Sequence, residues 1–254
     1  MNQYEYKELS KGIHKTLDII SARAVMNNSK YVNDDNKSVP RVTNIIDSMW
    51  SDPHIAEWAN SLGWKKKGYR KTLNEFAVKG THSHAVIEDY ILHGIEPDYN
   101  RYPEFARSAI CNSYTAFRQW WDKLCMKHDE VDVVFVEKTL ICKYFGGTLD
   151  CLLKIDDKYV LLDFKTSKDA NPKYALQLAA YRYMLRELEG ITIDACMNLI
   201  VKRDSPTYIE YIYDLKDPNH KNFINLCENE FLSLVQAYYG RQQVESGYKE
   251  IFHK

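Results

Sequence analysis

No two of the six cysteines (Cys111, Cys125, Cys142, Cys151, Cys196, Cys227) form a CxxC pair, and four of them fall in segments patterned as buried helix or strand. Free reduced thiols are therefore expected rather than a disulfide framework. The first residues, Met1 to Lys7, are polar and have no apolar signal core. No stretch approaches the roughly 18 consecutive apolar residues of a membrane span, and no repeat or low-complexity tract is present. Charge of one sign is missing too: 34 Lys and Arg stand against 35 Asp and Glu, a net charge of −1. No global field advertises a polyanionic partner, so any nucleic-acid site must be a local patch. With 254 residues, 45% hydrophobic and 27% charged, the chain can bury a sizeable core as a single domain. A soluble, cytoplasmic protein with no membrane partner is expected.

Residues 1–40 are polar and end in a turn-rich run from Asn33 to Pro40, either mobile or a small hairpin. Residues 43–62 suit short helices, with Thr43 and Asp52 as N-cap candidates. Helical spacing recurs over 71–93 and over 103–126, the latter rich in aromatics. Val131 opens a run of strands to about Phe164. Asn171 is then a good N-cap with Pro172 at the first helical position, starting a helix to about Glu189. Strands over 191–202 and 207–213 and a helix over 217–239 follow. The order predicts an α/β protein with a central mixed sheet flanked by helices, behind an N-terminal helical region. Residues 1–70 form an extension and helices, 71–213 the core, and 214–254 a C-terminal helix and tail.

The most informative segment joins Gly147-Thr148-Leu149-Asp150 to Asp163-Phe164-Lys165 through two apolar strand halves around Asp156-Asp157. Pairing outward from that turn sets Ile155 opposite Lys158, Leu153 opposite Val160, and Asp150 opposite Asp163. A two-residue and a four-residue loop give the same register, whereas three residues would turn one strand over. Cross-strand neighbours have Cβ atoms about 4.5–5.5 Å apart, and Lys165, two residues beyond Asp163, shares its face. The flanking residues are apolar on both faces, which argues against a solvated strand edge with an incidental ion pair. Buried carboxylates need partners or a cation, and oxygen ligands suit Mg²⁺ or Mn²⁺ rather than zinc.

Two helices add polar residues at fourfold spacing. In Gly80-Thr81-His82-Ser83-His84-Ala85-Val86-Ile87-Glu88, His84 and Glu88 share a face, and Gly80 suggests a close backbone approach. Gln177 and Tyr181 share a face of the helix after Pro172. Alone, each pair is more simply a structural polar spot.

Taken in order, GTxxHxxxE, GGTLD, DFKTS and QxxxY resemble the RecB-like branch of the PD-(D/E)xK nuclease superfamily, over about residues 40–185. The stretch from Val39 to Ile46, with Arg41 and Thr43, is similar to one in phage exonucleases and the mitochondrial genome maintenance exonuclease. The resemblance implies a restriction-endonuclease-like αβββαβ core. It implies Asp150 and Asp163 as metal-binding acids, Lys165 as the lysine that orients water and stabilises developing charge, His84 and Glu88 as further metal ligands, and the Phe164 carbonyl as another. Gln177 and Tyr181 match its QxxxY helix. Leu149 stands in place of the family's proline, and Asp163 in place of its glutamate. Iron–sulfur members carry a closely spaced C-terminal cysteine cluster; Cys227 stands alone, so no cluster is expected.

The implied activity is Mg²⁺- or Mn²⁺-dependent hydrolysis of phosphodiester bonds at DNA ends, in replication, recombination or repair and of phage type, with other replication or recombination proteins as candidate partners. The alternatives are a structure-specific endonuclease and a non-catalytic nucleic-acid-binding subunit. Besides Arg41 and Thr43, backbone contacts are expected from Lys65, Lys66, Lys67 and Arg70 and from Lys202 and Arg203. The 19 tyrosines could serve as platforms for single strands, although most are more simply packing.

Overall fold

Asn33 turns the chain back on itself near the first of the described residues: its side-chain oxygen accepts from the amides of Asp35 and Lys37 at 3.1 and 2.9 Å. The result is a hairpin of β1 (Tyr31–Val32) and β2 (Ser38–Val39), with Tyr31 opposite Val39. The computed structural model describes residues 31–50, 54–65 and 68–252, so Asp52, Lys66 and Lys67 lie outside the described residues.

Helix α1 (Val42–Met49) follows, then α2 (His54–Trp64), α3 (Tyr69–His93) and α4 (Glu104–Lys127). Thr43 does not cap α1. The helix begins one residue earlier, at Val42, with Arg41 at the N-cap and no side-chain capping bond. Packing decides this: Val42, Ile45 and Ile46 are buried, and Arg41 and Pro40 are tied to the backbone of Gly146.

Strands β3 (Val131–Ile141), β4 (Gly146–Ile155), β5 (Lys158–Lys165), β6 (Ala195–Val201) and β7 (Tyr208–Asp214) form one sheet in that order. Neighbours are antiparallel except β5 and β6, which are parallel. The parallel step needs a crossover, and α5 (Pro172–Glu189) supplies it. Asn171 caps α5 as expected, accepting from the Lys173 amide at 3.0 Å. This is the mixed, helix-flanked sheet of an αβββαβ core. A last helix, α6 (Pro218–Phe252), runs well past Tyr239, where the sequence pattern ends it. Gly240 is not among the left-handed glycines that would close a helix, and Arg241 pairs with Glu245 at 2.8 Å beyond it.

Each face of the sheet has its own core. On one, Leu149, Leu152, Leu161 and Cys196 pack with α1, α5 and α6, through residues such as Ile45, Tyr181 and Phe231. On the other, Cys151, Leu153, Leu162, Phe164 and Leu199 pack with α3 and α4, through Ile87, Phe117 and Trp120. Among the described residues no helix is long and apolar enough to cross a membrane, and all six cysteines are free.

Candidate metal and phosphate site

A two-residue turn sets the register of β4 against β5. Asp156 and Asp157 both have positive φ, 45° and 65°, the backbone of a type I′ hairpin. The ladder then pairs Ile155 with Lys158, Leu153 with Val160 and Cys151 with Leu162. The ladder stops at that pair, one residue short of the pairing of Asp150 with Asp163 expected from sequence. There a side chain enters the ladder: the Phe164 amide donates to Asp150 Oδ2 at 2.7 Å.

Lys165 turns back toward Asp163. Its ammonium donates to Asp163 Oδ1 at 2.6 Å and to Gln177 Oε1 at 3.1 Å. The Gln177 amide in turn faces the Tyr181 hydroxyl at 3.4 Å. So β5 and α5 bring together four of the predicted residues, and the helix residues fix the amine. The glycine pair before Thr148 is explained by the rings above it. A Cβ on Gly146 would lie 2.9 Å from the Tyr31 ring, and one on Gly147 would meet the ring of Tyr181.

From the other side, α3 presents His84, whose Nδ1 lies 3.6 Å from Asp150 Oδ1. The His84 ring also stands edge-on to Phe164, with centroids 6.3 Å apart. A third donor was not singled out from sequence. Glu137 on β3 is buried and offers a carboxylate oxygen within 4.8 Å of donor atoms of His84 and Asp150. The pairs Val136–Cys151 and Lys138–Leu149 flank it, so Glu137 lies level with Asp150 across the sheet. Its backbone is left-handed, with φ 49°, a strained state for a residue with a side chain. Glu88 is buried one turn along α3 from His84, but neither it nor Asp163 belongs to this three-donor cluster.

Asp163 has a second partner that sequence reasoning missed. Asn198, opposite it on the parallel strand β6, donates to Asp163 Oδ2 at 2.9 Å. Asn198 is 1% exposed, and its own carbonyl oxygen is buried without a hydrogen-bond partner. A lone amide in the apolar run from Cys196 to Val201 was the available signal.

Burial and neighbouring charge divide the two aspartates. Burial would raise Asp150, but His84, Lys165 and the Phe164 amide outweigh it and hold the carboxyl below its usual range. Asp163 is pushed up to about 6, by burial first and with Asp150 adding to it, against the pull of Lys165. Burial works against charge on Lys165 as well; Asp163 and Asp150 overcome it and keep the amine above its ordinary value. His84 is likewise raised, Asp150 outweighing burial. Burial, then the two aspartates, put the Tyr181 phenol well above its usual value.

None of the other predicted contact residues belongs to the three-donor group. Arg41, Thr43, Lys65 and Arg70 are exposed, Arg41 with its guanidinium 5.5 Å from the centre of the Tyr31 ring. Lys202 and Arg203 follow the C-terminal end of β6 and are half-buried. Arg203 lies over the Phe76 ring at 3.9 Å instead of forming an open basic patch.

Two carboxylates and an imidazole within one small volume can hold a metal ion, and the residues present fit a hard divalent cation with some tolerance for nitrogen. An Asp163 that burial leaves hard to ionise fits the same need for positive charge. No family model matches the chain, and no curated protein matches it. Among solved structures, that of SSO0001 is similar over 61% of this chain and 84% of its own, at 13% identity and a TM-score of 0.24.

Proposed function

We propose that the chain is a metal-dependent nuclease, an exonuclease of DNA ends in the RecB-like branch of the PD-(D/E)xK superfamily. One observation carries the reading: a protonated lysine fixed by Asp163 and Gln177 at the rim of a buried acid cluster that also holds an imidazole. An ion pair kept only for stability has no need of a second acid and a histidine at its side. Buried pairs are poor stabilisers in any case.

His84, Glu137 and Asp150 would hold the metal, Mg²⁺ or Mn²⁺, with Asp163 beside them. When bound, the metal polarises the scissile phosphate and lowers the pKa of an attacking water. The chain's own residues do the rest. Lys165 is held protonated, so it acts as a donor to the phosphate oxygens as negative charge builds on them, not as a base. Gln177 limits where that amine can point, and Tyr181 limits Gln177. Asp163 keeps its place through Asn198. Water adds to phosphorus and gives up a proton to solvent, the bond to the leaving oxygen breaks, and that oxygen takes a proton from solvent.

The test is cleavage of end-labelled DNA by purified protein in Mg²⁺ or Mn²⁺. Wild type releases nucleotides from open ends and leaves a covalently closed circle intact, and Lys165→Ala loses at least a hundredfold in rate, the scale of removing one transition-state donor. Unimpaired cleavage by Lys165→Ala sinks the proposal. A nicked or linearised circle points to an endonuclease.

A further inference from the structure

Gly80, Gly240 and Gly247 sit inside long helices, where each is less favourable than alanine by about 1 kcal/mol. In α3 a Cβ on Gly80 would touch only Thr166 Oγ1, at 3.5 Å, an ordinary contact. No close backbone approach forces this glycine, contrary to the expectation from sequence. In α6 a Cβ on Gly240 or Gly247 would meet nothing within 4 Å among the described residues. Val244 and Ile251 lie on the same strip, since positions 240, 244, 247 and 251 are spaced four, three and four. Val244 is 72% exposed and Ile251 68%.

This strip does not face the core that the rest of α6 packs on. As far as Tyr239 the inward face carries Cys227, Phe231, Leu234, Val235 and Tyr238. Continued along the helix, that face holds Gln242, Glu245 and Lys249, all polar. The apolar side therefore moves round the helix by about 145° near Gly240, at about 100° per residue. No residue from 240 to 252 is buried. An apolar face turned away from its own core marks a surface for something else.

The sequence holds a match. Ile13, Leu17, Ile20 and Ala24 repeat the four, three, four spacing, with Lys15, Asp18 and Arg23 between them. They precede the first described residue, Tyr31, and the chain enters the structure close to the root of the strip. Asn33 donates through Nδ2 to the Lys143 carbonyl at 2.8 Å. Tyr239 donates to the carbonyl of the next residue, Tyr144, at 2.7 Å. Residues 25–30 span about 20 Å when extended, and Ile251 lies about 18 Å along α6 from Tyr239. Area favours a tethered occupant too. Two aliphatic side chains and two bare glycines fall well short of the roughly 800 Å² that each of two separate molecules contributes, whereas a tethered segment is present at an effective concentration on the order of millimolar.

We propose that residues 13–24 pack as a helix on the outer strip of α6, antiparallel to it. Ala24 meets Gly240, Ile20 meets Val244, Leu17 meets Gly247 and Ile13 meets Ile251, so branched side chains fill the surface that the glycines leave bare. The contact ties the N-terminal segment to the last helix and steadies the hairpin whose Tyr31 ring covers Gly146. It does not depend on the nuclease reading.

Hydrogen exchange of the full chain, read by mass spectrometry, tests this. In wild type the amides of 13–24 exchange at least about tenfold more slowly than in an unfolded chain, and light scattering gives a monomer. Leu17→Glu speeds exchange across 240–252, and Val244→Glu speeds it across 13–24. Ile19→Glu changes an equally apolar residue off the strip and alters neither. Val244 is exposed, so its variant keeps the core intact. Wild-type residues 13–24 that exchange at the unfolded rate overturn the inference and leave the strip to another protein. Unchanged protection of 240–252 in Leu17→Glu overturns it as well. A particle of twice the chain mass, whose protection fades on dilution, also overturns it and assigns the strip to a second copy.

Discussion

The ring of Tyr181 occupies the space into which a side chain on Gly147 would grow: a Cβ there would stand 2.5 Å from Cε1. Tyr181 is 3% exposed on α5 and cannot swing clear. Gly147→Ala is therefore expected to cost about 1–3 kcal/mol in urea melts, the range for overpacking a core. It should also lower cleavage, because the displaced ring disturbs Gln177. Adding Tyr181→Leu returns part of the stability, so the double mutant loses less than the sum of the two singles.

Metal binding separates the donors read from sequence from those the fold assembles. Mn²⁺ should raise the melting temperature of wild type, by linkage of about 2.7 kcal/mol at a hundredfold excess over Kd. Glu137→Gln and Asp150→Asn remove most of that shift, whereas Glu88→Gln keeps it. Calorimetric titration gives the same ranking. A full Mn²⁺ shift in Glu137→Gln rejects Glu137 as a ligand.

Asp163 makes the metal-free fold pH-sensitive. Its folded pKa of about 6 lies above the ordinary carboxylate value of about 3.9. Between these values the folded state binds more protons than the unfolded one, so stability falls as pH rises through that window. Asp163→Asn removes this pH dependence, but it also leaves the buried Lys165 ammonium without its carboxylate partner. Without metal its stability is expected to lie below that of wild type yet to stay flat across the window where wild type falls, while cleaving nothing. Thermal melts across the window, with EDTA present, check the sign.

Asn198→Leu takes away the amide that Asp163 Oδ2 accepts from. The charged form of Asp163 loses a donor, so its pKa rises further and the acidic limb of the cleavage profile moves to higher pH. A purely structural asparagine would alter the melting temperature and leave that limb in place. Asn198→Asp sets a like charge beside Asp163 and shifts the limb further still.

The parts legible in the sequence were those fixed by local chemistry. Two turn residues and the apolar positions around them set the register of β4 against β5 as far as Cys151 and Leu162, and Asn171 with Pro172 gave the start of α5 to the residue. What escaped depends on distant contacts or on backbone state. The left-handed φ of Glu137 leaves no mark in composition. Asn198 reaches Asp163 only after the parallel strand returns past α5. Arg203 looked like half of a basic patch until Phe76, 127 positions earlier in the chain, was placed beneath it. At Thr43 a good capping residue lost to the burial of Val42.

The parallel pairing of β5 with β6 has a consequence for synthesis. Every acid of the site, and its lysine, has been made by residue 165, yet β5 is an open edge until β6 arrives and Asn198 closes over Asp163. A nascent or prematurely terminated chain thus carries the full chemical outfit without the geometry to use it. On the proposed nuclease reading, catalytic power would arrive in one step with completion of the sheet, and turnover itself would become a gauge of finished protein.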